Sequence, residues 1–426
     1  MSSHSSSTSS QPAPFDLSAW RNVPTVLMVI GGIGAVAAAI LDPKHAAFSY
    51  LTAYMFFLSF GLGGLILTIL HHLFDAAWSV PIRRINEHLA CLLPTLALLF
   101  IPILINVLMA GNDNIIYHWI VLLKEGKPDH AVTSKYPLFT VNSFVAAWVI
   151  CGVVWTVLSR GLRKYSLEQD KTGSIECTRT LRRYAAVGVF LFAITLTLAA
   201  IMWMKALQHE WFSTMYGVYY FAGSTWTTLA TVYLIVWLLQ RQGPLREVVR
   251  EKTFYFLGSL LFAFTVFYAY VTFFQYFIIW NANMPEETFF FVSREHGVWF
   301  WVSMVIIFGH FFGPFLTLLR IDVKLLPWVM IPLASWVWLM HYVDMTFNIM
   351  PVMFPEGPHV SWMDFACVAF IGGLLVKLFL KSLNAHPMFP QKDPRFAEAM
   401  DIYVPEGKLA QAVGARAAKA TSGGKH

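Results

Sequence analysis

Long apolar runs alternate with short polar segments along almost the whole chain. A helix that crosses a bilayer needs about 20 mainly apolar residues. Windows of that length predict ten spans, approximately at 25–41, 47–70, 87–110, 136–159, 184–204, 215–239, 254–280, 296–319, 325–346 and 361–380. The first run is short and rich in Gly and Ala, and it follows a Ser-rich leader, so a cleaved signal peptide is the alternative for this segment. The pattern predicts an all-α integral membrane protein.

Composition supports this interpretation and excludes a single soluble domain. Of the 426 residues, 57% are hydrophobic and 13% are charged, whereas soluble domains carry about 25% charged residues. The four cysteines are too few and too scattered for a disulfide framework or for Cys-x-x-Cys metal ligation. We therefore expect a protein that binds no metal directly.

The net charge of +6 reports orientation in the membrane and does not indicate a nucleic-acid partner. If ten spans alternate across the bilayer, 24 of the 30 Lys and Arg residues fall on one side and six on the other. Basic loops favour the cytoplasmic side. Both termini are therefore predicted to be cytoplasmic, and the chain is expected to cross its membrane many times.

A weak internal repeat suggests how the helices are grouped. The sequence PIRRINE at 81–87 resembles PLREVVRE at 244–251, an offset of about 164 residues. An offset of four helices predicts two four-helix bundles of the same orientation, helices 2–5 and 6–9, with two peripheral helices. The predicted divisions are a disordered N-terminal tail at 1–20, peripheral helix 1 at 21–46, bundles at 47–204 and 215–346, peripheral helix 10 at 361–381, and a cytoplasmic strap and tail at 382–426.

Three ionisable residues within the predicted spans are the strongest candidates for chemistry. An ionisable group at the bilayer centre costs about 2.5–3.5 kcal/mol on insertion scales, so it is a functional candidate by default. His310 lies mid-span in helix 8, and His341 and Asp344 lie three residues apart on one face of helix 9. We predict a proton-handling site from them. The alternative is a structural hydrogen-bonded pair between helices.

Further polar residues are weaker candidates. Glu87, His88 and Glu251 precede or begin helices 3 and 7 and suit a proton entrance, although acids also favour helix N-termini for structural reasons.

Aromatic and amide side chains of helix 7 suit a quinone ring, and they also suit ordinary packing. These residues are Tyr268, Gln275 and Tyr276.

A haem site is disfavoured by the distribution of histidines. His296 and His310 are fourteen residues apart, a spacing close to that of helices that ligate two b-type haems. A dihaem core needs a second helix with a matching pair, and none is present. The chain also lacks Cys-x-x-Cys-His, so it attaches no c-type haem.

Three motifs resemble a known family. They are EWFSTMYGVYYFAG at 210–223, IWNANMPEET at 279–288 and YHW at 117–119. They resemble the second, shorter polysulfide-reductase-type (NrfD-like) membrane subunit of bacterial alternative complex III. The resemblance covers essentially the whole ten-helix region and implies two four-helix bundles plus two outer helices.

The resemblance implies a subunit of a respiratory quinol:cytochrome c oxidoreductase, or one with another periplasmic acceptor. The implied partners are a sister NrfD-like subunit, an iron–sulfur protein, multihaem cytochrome c subunits and a terminal oxidase. Iron–sulfur clusters and c-type haems would lie in those partners, this chain would bind no cofactor directly, and the quinone would bind either in this chain or in the sister subunit. Loops 111–135, 281–295 and 347–360 would be the periplasmic docking surface.

The sequence departs from the family pattern at two positions ahead of the first motif. The family carries an Asp before a Trp and a His immediately before the motif; here Met202 precedes Trp203, and Glu210 follows a displaced His209. A proton path through helix 5 is therefore in doubt. A proton- or ion-coupled secondary transporter is the alternative function, because repeated bundles with midplane polar residues are also expected there.

Overall fold

The computed structural model describes residues 22–243 and 245–400, and the regular structure of this part of the chain is helical. We number its ten long helical segments α1 to α10. They are α1 (Val23–Leu41), α2 (Pro43–Phe74), α3 (Ala77–Met109), α4 (Val141–Thr172), α5 (Ile175–Gln208), α6 (Tyr216–Arg241), α7 (Glu251–Ala282), α8 (Gly297–Leu318), α9 (Pro327–Ile349) and α10 (Trp362–Ala385). Short helices at His118–Lys124, His130–Ser134, Pro285–Val292 and Phe396–Ala399 lie between or after them.

Nine of these segments, among the described residues, are long and apolar enough to cross a membrane. The prediction of an all-α protein with many membrane helices is thus confirmed. The segment outside the nine is α9, in which Trp, His, Asp and Asn side chains lower the mean hydropathy. The predicted tail at 1–20, and residues 401–426 of the predicted C-terminal tail, lie outside the described residues.

Several helices extend beyond the predicted apolar windows. The helices α4 and α5 continue through the basic segment 160–183 and are separated only by Gly173 and Ser174. Gly173 has a φ of +64°, which ends α4 in the left-handed conformation that glycine adopts freely, and the Ser174 hydroxyl caps α5. A search for apolar windows misses these turns, because Lys, Arg and Glu form helices outside lipid about as readily as apolar residues do.

Polar contacts bring the predicted loops together at two ends of the helix bundle. Segments 71–88, 160–183 and 386–395 meet at one end, which we call the basic end, through the pairs Arg84–Asp170, Arg83–Asp393 and Arg182–Asp75. Segments 117–139, 205–216, 290–299 and 347–354 meet at the opposite end, through the pairs Tyr117–Trp203, Arg294–Gln208 and Trp299–Phe354. This arrangement agrees with the alternating distribution of basic residues.

The most deeply buried membrane helices are α2 and α6, which pack on each other at the centre. The hydroxyl of Ser224 donates to that of Ser59 at 3.1 Å, and the Tyr220 hydroxyl donates to the Met55 carbonyl at 2.7 Å. Each pair is separated by 165 residues, close to the offset of the sequence repeat. Contacts between repeat-equivalent residues are expected where two related bundles meet across an approximate twofold axis.

The predicted peripheral helices α1 and α10 pack along each other. A side-chain carbon added at Gly373 would lie 2.5 Å from the Met28 backbone nitrogen and 2.7 Å from the Pro24 carbonyl oxygen. Such close backbone approach is the usual role of small residues between membrane helices. The pair therefore associates through backbone contact that larger residues would prevent.

Candidate functional site

His310 lies on a locally widened turn of α8. Residues Ile307–Phe312 form a π-helical segment. Pro314 has no N–H to donate to the carbonyl of His310, so the regular hydrogen-bond pattern cannot continue through this turn. Such π-helical bulges occur frequently at functional sites. The sequence thus contains a local reason for the altered backbone that presents His310 to the interior.

Two aromatic rings enclose the His310 imidazole. The Trp226 ring of α6 and the Tyr268 ring of α7 stack on its two faces, with centroid distances of 3.8 Å and 3.7 Å. The Trp226 indole is itself oriented by a 2.8 Å hydrogen bond from Nε1 to the Thr265 hydroxyl. Both His310 nitrogens are buried and have no hydrogen-bond partner in the described part of the protein. Stacking therefore fixes the ring plane and leaves the nitrogens available.

His341 and Asp344 of α9 face His310. One nitrogen of each histidine and one carboxylate oxygen of Asp344 all lie within 4.8 Å of one another. The three side chains are at most 1% exposed. His341 Nδ1 and Asp344 Oδ2 also have no partner among the described residues. We call His310, His341 and Asp344 the buried triad. The structure brings His310 of α8 together with the His341–Asp344 pair that the sequence placed on one face of α9.

Hydrogen bonds continue from the buried triad toward the opposite end. The Tyr219 hydroxyl donates to Asp344 Oδ1, and Asn348 Nδ2 donates to the Tyr219 hydroxyl at 2.7 Å. The Tyr216 hydroxyl donates to Asn348 Oδ1 at 3.0 Å, and Arg294 Nη2 donates to the Asn348 carbonyl at 3.4 Å. These polar groups form a continuous chain from Asp344 to a buried arginine.

The residues that make these connections are not among the candidates predicted from the sequence. Asn348 follows Asp344 by four positions and His341 by seven, which places all three on one face of α9. That spacing would have identified Asn348 as a candidate from the sequence. Tyr219 and Tyr216 lie within the motif at 210–223, which indicates a family resemblance but does not by itself assign these tyrosines a role.

On its other side the buried triad contacts the first predicted bundle. His341 Nε2 lies 2.9 Å from the Ser59 hydroxyl, which also accepts from Ser224. Gly223 leaves room for the ring, since an added side-chain carbon would lie 3.1 Å from His341 Cε1. The site therefore reaches the interface between α2 and α6.

The predicted proton-entrance residues lie elsewhere. Glu87 is at the basic end, bonded to Arg83 at 3.2 Å, to Arg84 at 3.1 Å and to Arg163 at 3.2 Å. The Ser166 hydroxyl donates to it at 2.6 Å. Glu87 and these partners therefore form a buried ion cluster with a structural role.

Two neighbouring candidates are also separate from the triad. His88 contacts the Ser382 hydroxyl at 2.7 Å, and Glu251 is exposed in the first turn of α7. Among the described residues, no hydrogen bond joins either of them, or Glu87, to the buried triad.

The three predicted quinone residues of α7 do not lie together in the structure. Tyr268 stacks on His310 and so belongs to the site. Gln275 follows it by seven residues, about two turns, on the same face, and its buried Oε1 has no partner among the described residues. Tyr276 points toward the opposite end and donates to Glu295 at 3.0 Å.

The middle of the first predicted bundle has no counterpart of the buried triad among the described residues. Met202 and Trp203 are buried there, and the Trp203 ring lies 4.3 Å from Phe100. The buried ionisable side chains that α2 to α5 contribute lie toward their ends, among them His71, His72, Glu87, Arg163 and Lys205. Within the described residues, the mid-helix ionisable site is therefore confined to the second predicted bundle.

A second group with metal-compatible spacing lies at the opposite end. It consists of Asp129, His209 and Glu210. His209 Nε2 is 2.7 Å from Asp129 Oδ2, and Lys135 donates to the His209 carbonyl. Burial alone would raise the pKa of Asp129, but the Val132 N–H and His209 lower it below its usual value. With a lysine beside it, this group is better suited to an ion pair than to a cation.

No protein-family model matches the sequence, and no curated protein matches it significantly.

Proposed function

We propose that this chain is an integral membrane subunit of a quinol-oxidising respiratory complex, and that its buried triad transfers protons. One observation carries the proposal: unpartnered atoms of His310, His341 and Asp344 converge in the interior, and a chain of hydroxyl and amide groups leads away from them. Two imidazoles and a carboxylate can each accept and release a proton. Buried groups of this kind in membrane helices typically form proton relays.

The proposed topology has ten spans, with helices 2–5 and 6–9 as two four-helix bundles and both termini in the cytoplasm. The meeting of basic segments at one end supports this orientation. The repeat-equivalent contacts between α2 and α6 support two related bundles. The positive-inside rule then makes the basic end the cytoplasmic side, and the motif resemblance supports the bacterial inner membrane as the location.

The proposed redox partners rest on the motif resemblance. In that arrangement, iron–sulfur and multihaem cytochrome c subunits dock at the opposite end, beside a sister NrfD-like subunit and a terminal oxidase. Quinol would approach α7, where Tyr270, Phe273 and Phe277 are exposed on the surface of the helix bundle. Gln275 lies among these residues and offers its unpartnered carbonyl to a quinol hydroxyl.

Copurification tests membership of such a complex. A tagged chain extracted in mild detergent is expected to bring down haem-staining polypeptides and quinol:acceptor activity. A matched extract from cells with an untagged chain controls for haem proteins that bind the resin. A chain that purifies alone and free of haem would refute the proposal.

A proton- or ion-coupled transporter is the second candidate, favoured by the spacing of the buried triad, which suits a bound cation. The chain reconstituted alone in vesicles distinguishes the two functions. Solute-dependent proton or ion flux through the isolated chain would support the transporter. The redox proposal expects no such flux without the partner subunits.

A further inference from the structure

A basic pocket lies at the basic end of the molecule, between the end of α2, the start of α5 and the segment after α10. Its volume is about 190 Å³. Four arginines line it against two aspartates: Arg83, Arg179, Arg182 and Arg395 against Asp75 and Asp393. We propose that this pocket binds the phosphate group of an anionic phospholipid.

The lining residues carry four guanidinium groups and two carboxylates, while Glu176 and Glu398 pair with Arg179 and Arg395 from outside the lining. The Asp75 carboxylate serves two guanidinium groups, with Arg182 Nη2 at 2.7 Å and Arg395 Nη2 at 2.6 Å. Arg179 pairs with Glu176 and Arg182 with Asp75, but the two arginine side chains are 62% and 51% exposed, so their remaining donors are accessible. A guanidinium presents paired N–H donors that match phosphate oxygens. An added anion would therefore find suitable donors beside a lining of net positive charge.

An unpartnered histidine provides a second, independent indication. His72 lines the pocket and is 5% exposed, and its Nε2 atom has no hydrogen-bond partner among the described residues. A buried polar atom without a partner costs roughly 1–3 kcal/mol. A phosphate oxygen in the pocket would accept from this nitrogen in the tautomer that protonates it.

The surface beside the pocket favours a lipid over free phosphate as the source. Ile175 lines the pocket and is 50% exposed. Further along α5, Val187, Phe190 and Ile194 are exposed on one face, at 61%, 72% and 65%. This apolar face leads from the pocket toward the middle of the membrane, where it can contact acyl chains. Basic pockets at the cytoplasmic side of membrane helices bind anionic head groups in the same way.

Binding would also hold the segment that follows α10. Arg83 pairs with Asp393, and Arg395 pairs with Asp75, so residues 393–395 form one wall of the pocket. A phosphate shared by Arg182 and Arg395 would join this wall to α5. The lipid is thus expected to stabilise the folded chain.

The test uses the purified full chain in a zwitterionic detergent. Its thermal unfolding is followed by tryptophan fluorescence during titration with short-chain phosphatidylglycerol, with phosphatidylcholine of the same chain length, and with inorganic phosphate. We expect stabilisation by phosphatidylglycerol at concentrations where the other two have little effect. Each surface arginine removed should weaken binding about fivefold, so the double change Arg179→Gln with Arg182→Gln should weaken it about thirtyfold.

Two further variants keep the result interpretable. Arg320→Gln removes an exposed charge that lies outside the pocket, and it should leave the titration unchanged. Asp75→Asn removes the competing carboxylate and should tighten binding about fivefold, a gain that misfolding cannot produce. Asp75 has a φ of 54°, which asparagine also tolerates.

The possible outcomes separate the sources of phosphate. Equal protection by inorganic phosphate at the same concentration would overturn a lipid ligand, although a phosphate site would remain. Equal protection by phosphatidylcholine, or equal weakening by Arg320→Gln, would overturn the pocket itself.

Discussion

Replacing Asp344 by Asn separates a proton-transferring site from a structural one. The amide keeps the shape of the carboxylate, and its oxygen can still accept from Tyr219 and Asn348. Because the donors keep their acceptor, we expect a change in the free energy of unfolding below about 1 kcal/mol. Asp344→Ala would instead leave the Tyr219 hydroxyl without an acceptor, at a cost of roughly 1–3 kcal/mol.

Asp344→Ala should therefore impair assembly more than Asp344→Asn does, whereas both variants should lose proton transfer. An amide cannot exchange a proton with His310 or His341, so Asp344→Asn should lower proton-coupled quinol oxidation about 100-fold or more, the lower range for loss of a positioned acid or base. The assay compares turnover and proton release in vesicles that contain the whole complex. Asp364→Asn is the matched control. This buried carboxylate caps α10 and accepts from Ser49, and it is not a member of the buried triad.

Two results would refute this reasoning. If Asp344→Asn prevents assembly while Asp364→Asn does not, the buried triad is a structural hydrogen-bonded cluster. If the complex assembles and turns over normally with coupled proton release, the site does not transfer protons.

Two further predictions concern the fold. Gly373→Leu places a side chain against the backbone of α1, so α1 should separate from α10 and become accessible to protease, whereas Gly372→Ala, which faces the Phe57 ring, should not have this effect. The pKa of Asp129 lies below its ordinary value of 3.8, so its pairing with His209 stabilises the opposite end above that pH and is lost as the pH falls further. The protection of residues 129–135 against hydrogen exchange should therefore fall below about pH 4 in the native chain, and Asp129→Ala, which also removes the acceptor for the Val132 N–H, should show low protection at all pH values.

Apolar periodicity predicted the membrane helices well because a span needs a long apolar run. It failed at α3, whose first turn begins at residue 77 and not at 87, because Arg83, Arg84 and Glu87 made that segment appear to be a loop. In the structure these charges bond to one another inside the protein. Their mutual pairing depends on the fold and leaves no trace in a hydropathy window.

The candidate site was predictable in part for similar reasons. The spacing of His341 and Asp344 places them on one helix face, and the depth of His310 marked it as unusual. Their convergence could not be predicted, since it depends on how α8 crosses α9 and on the rings of Trp226 and Tyr268 that orient His310.

The hydrogen bonds around the buried triad differ in direction on its two sides. Toward the opposite end, the Tyr219 hydroxyl donates to Asp344 and accepts from the Asn348 amide, so the hydroxyl is the group that can exchange a proton with the carboxylate. Toward the basic end, the hydroxyls of Thr228 and Thr231 donate to carbonyls of the preceding turn of their own helix, as expected for threonines within a helix. Because these hydroxyl protons are bonded to backbone carbonyls, they are not available for transfer to a neighbouring side chain. Among the described residues, the side-chain hydrogen bonds of Asp344 therefore lead toward the opposite end, and we propose that protons reach the triad from the periplasmic side.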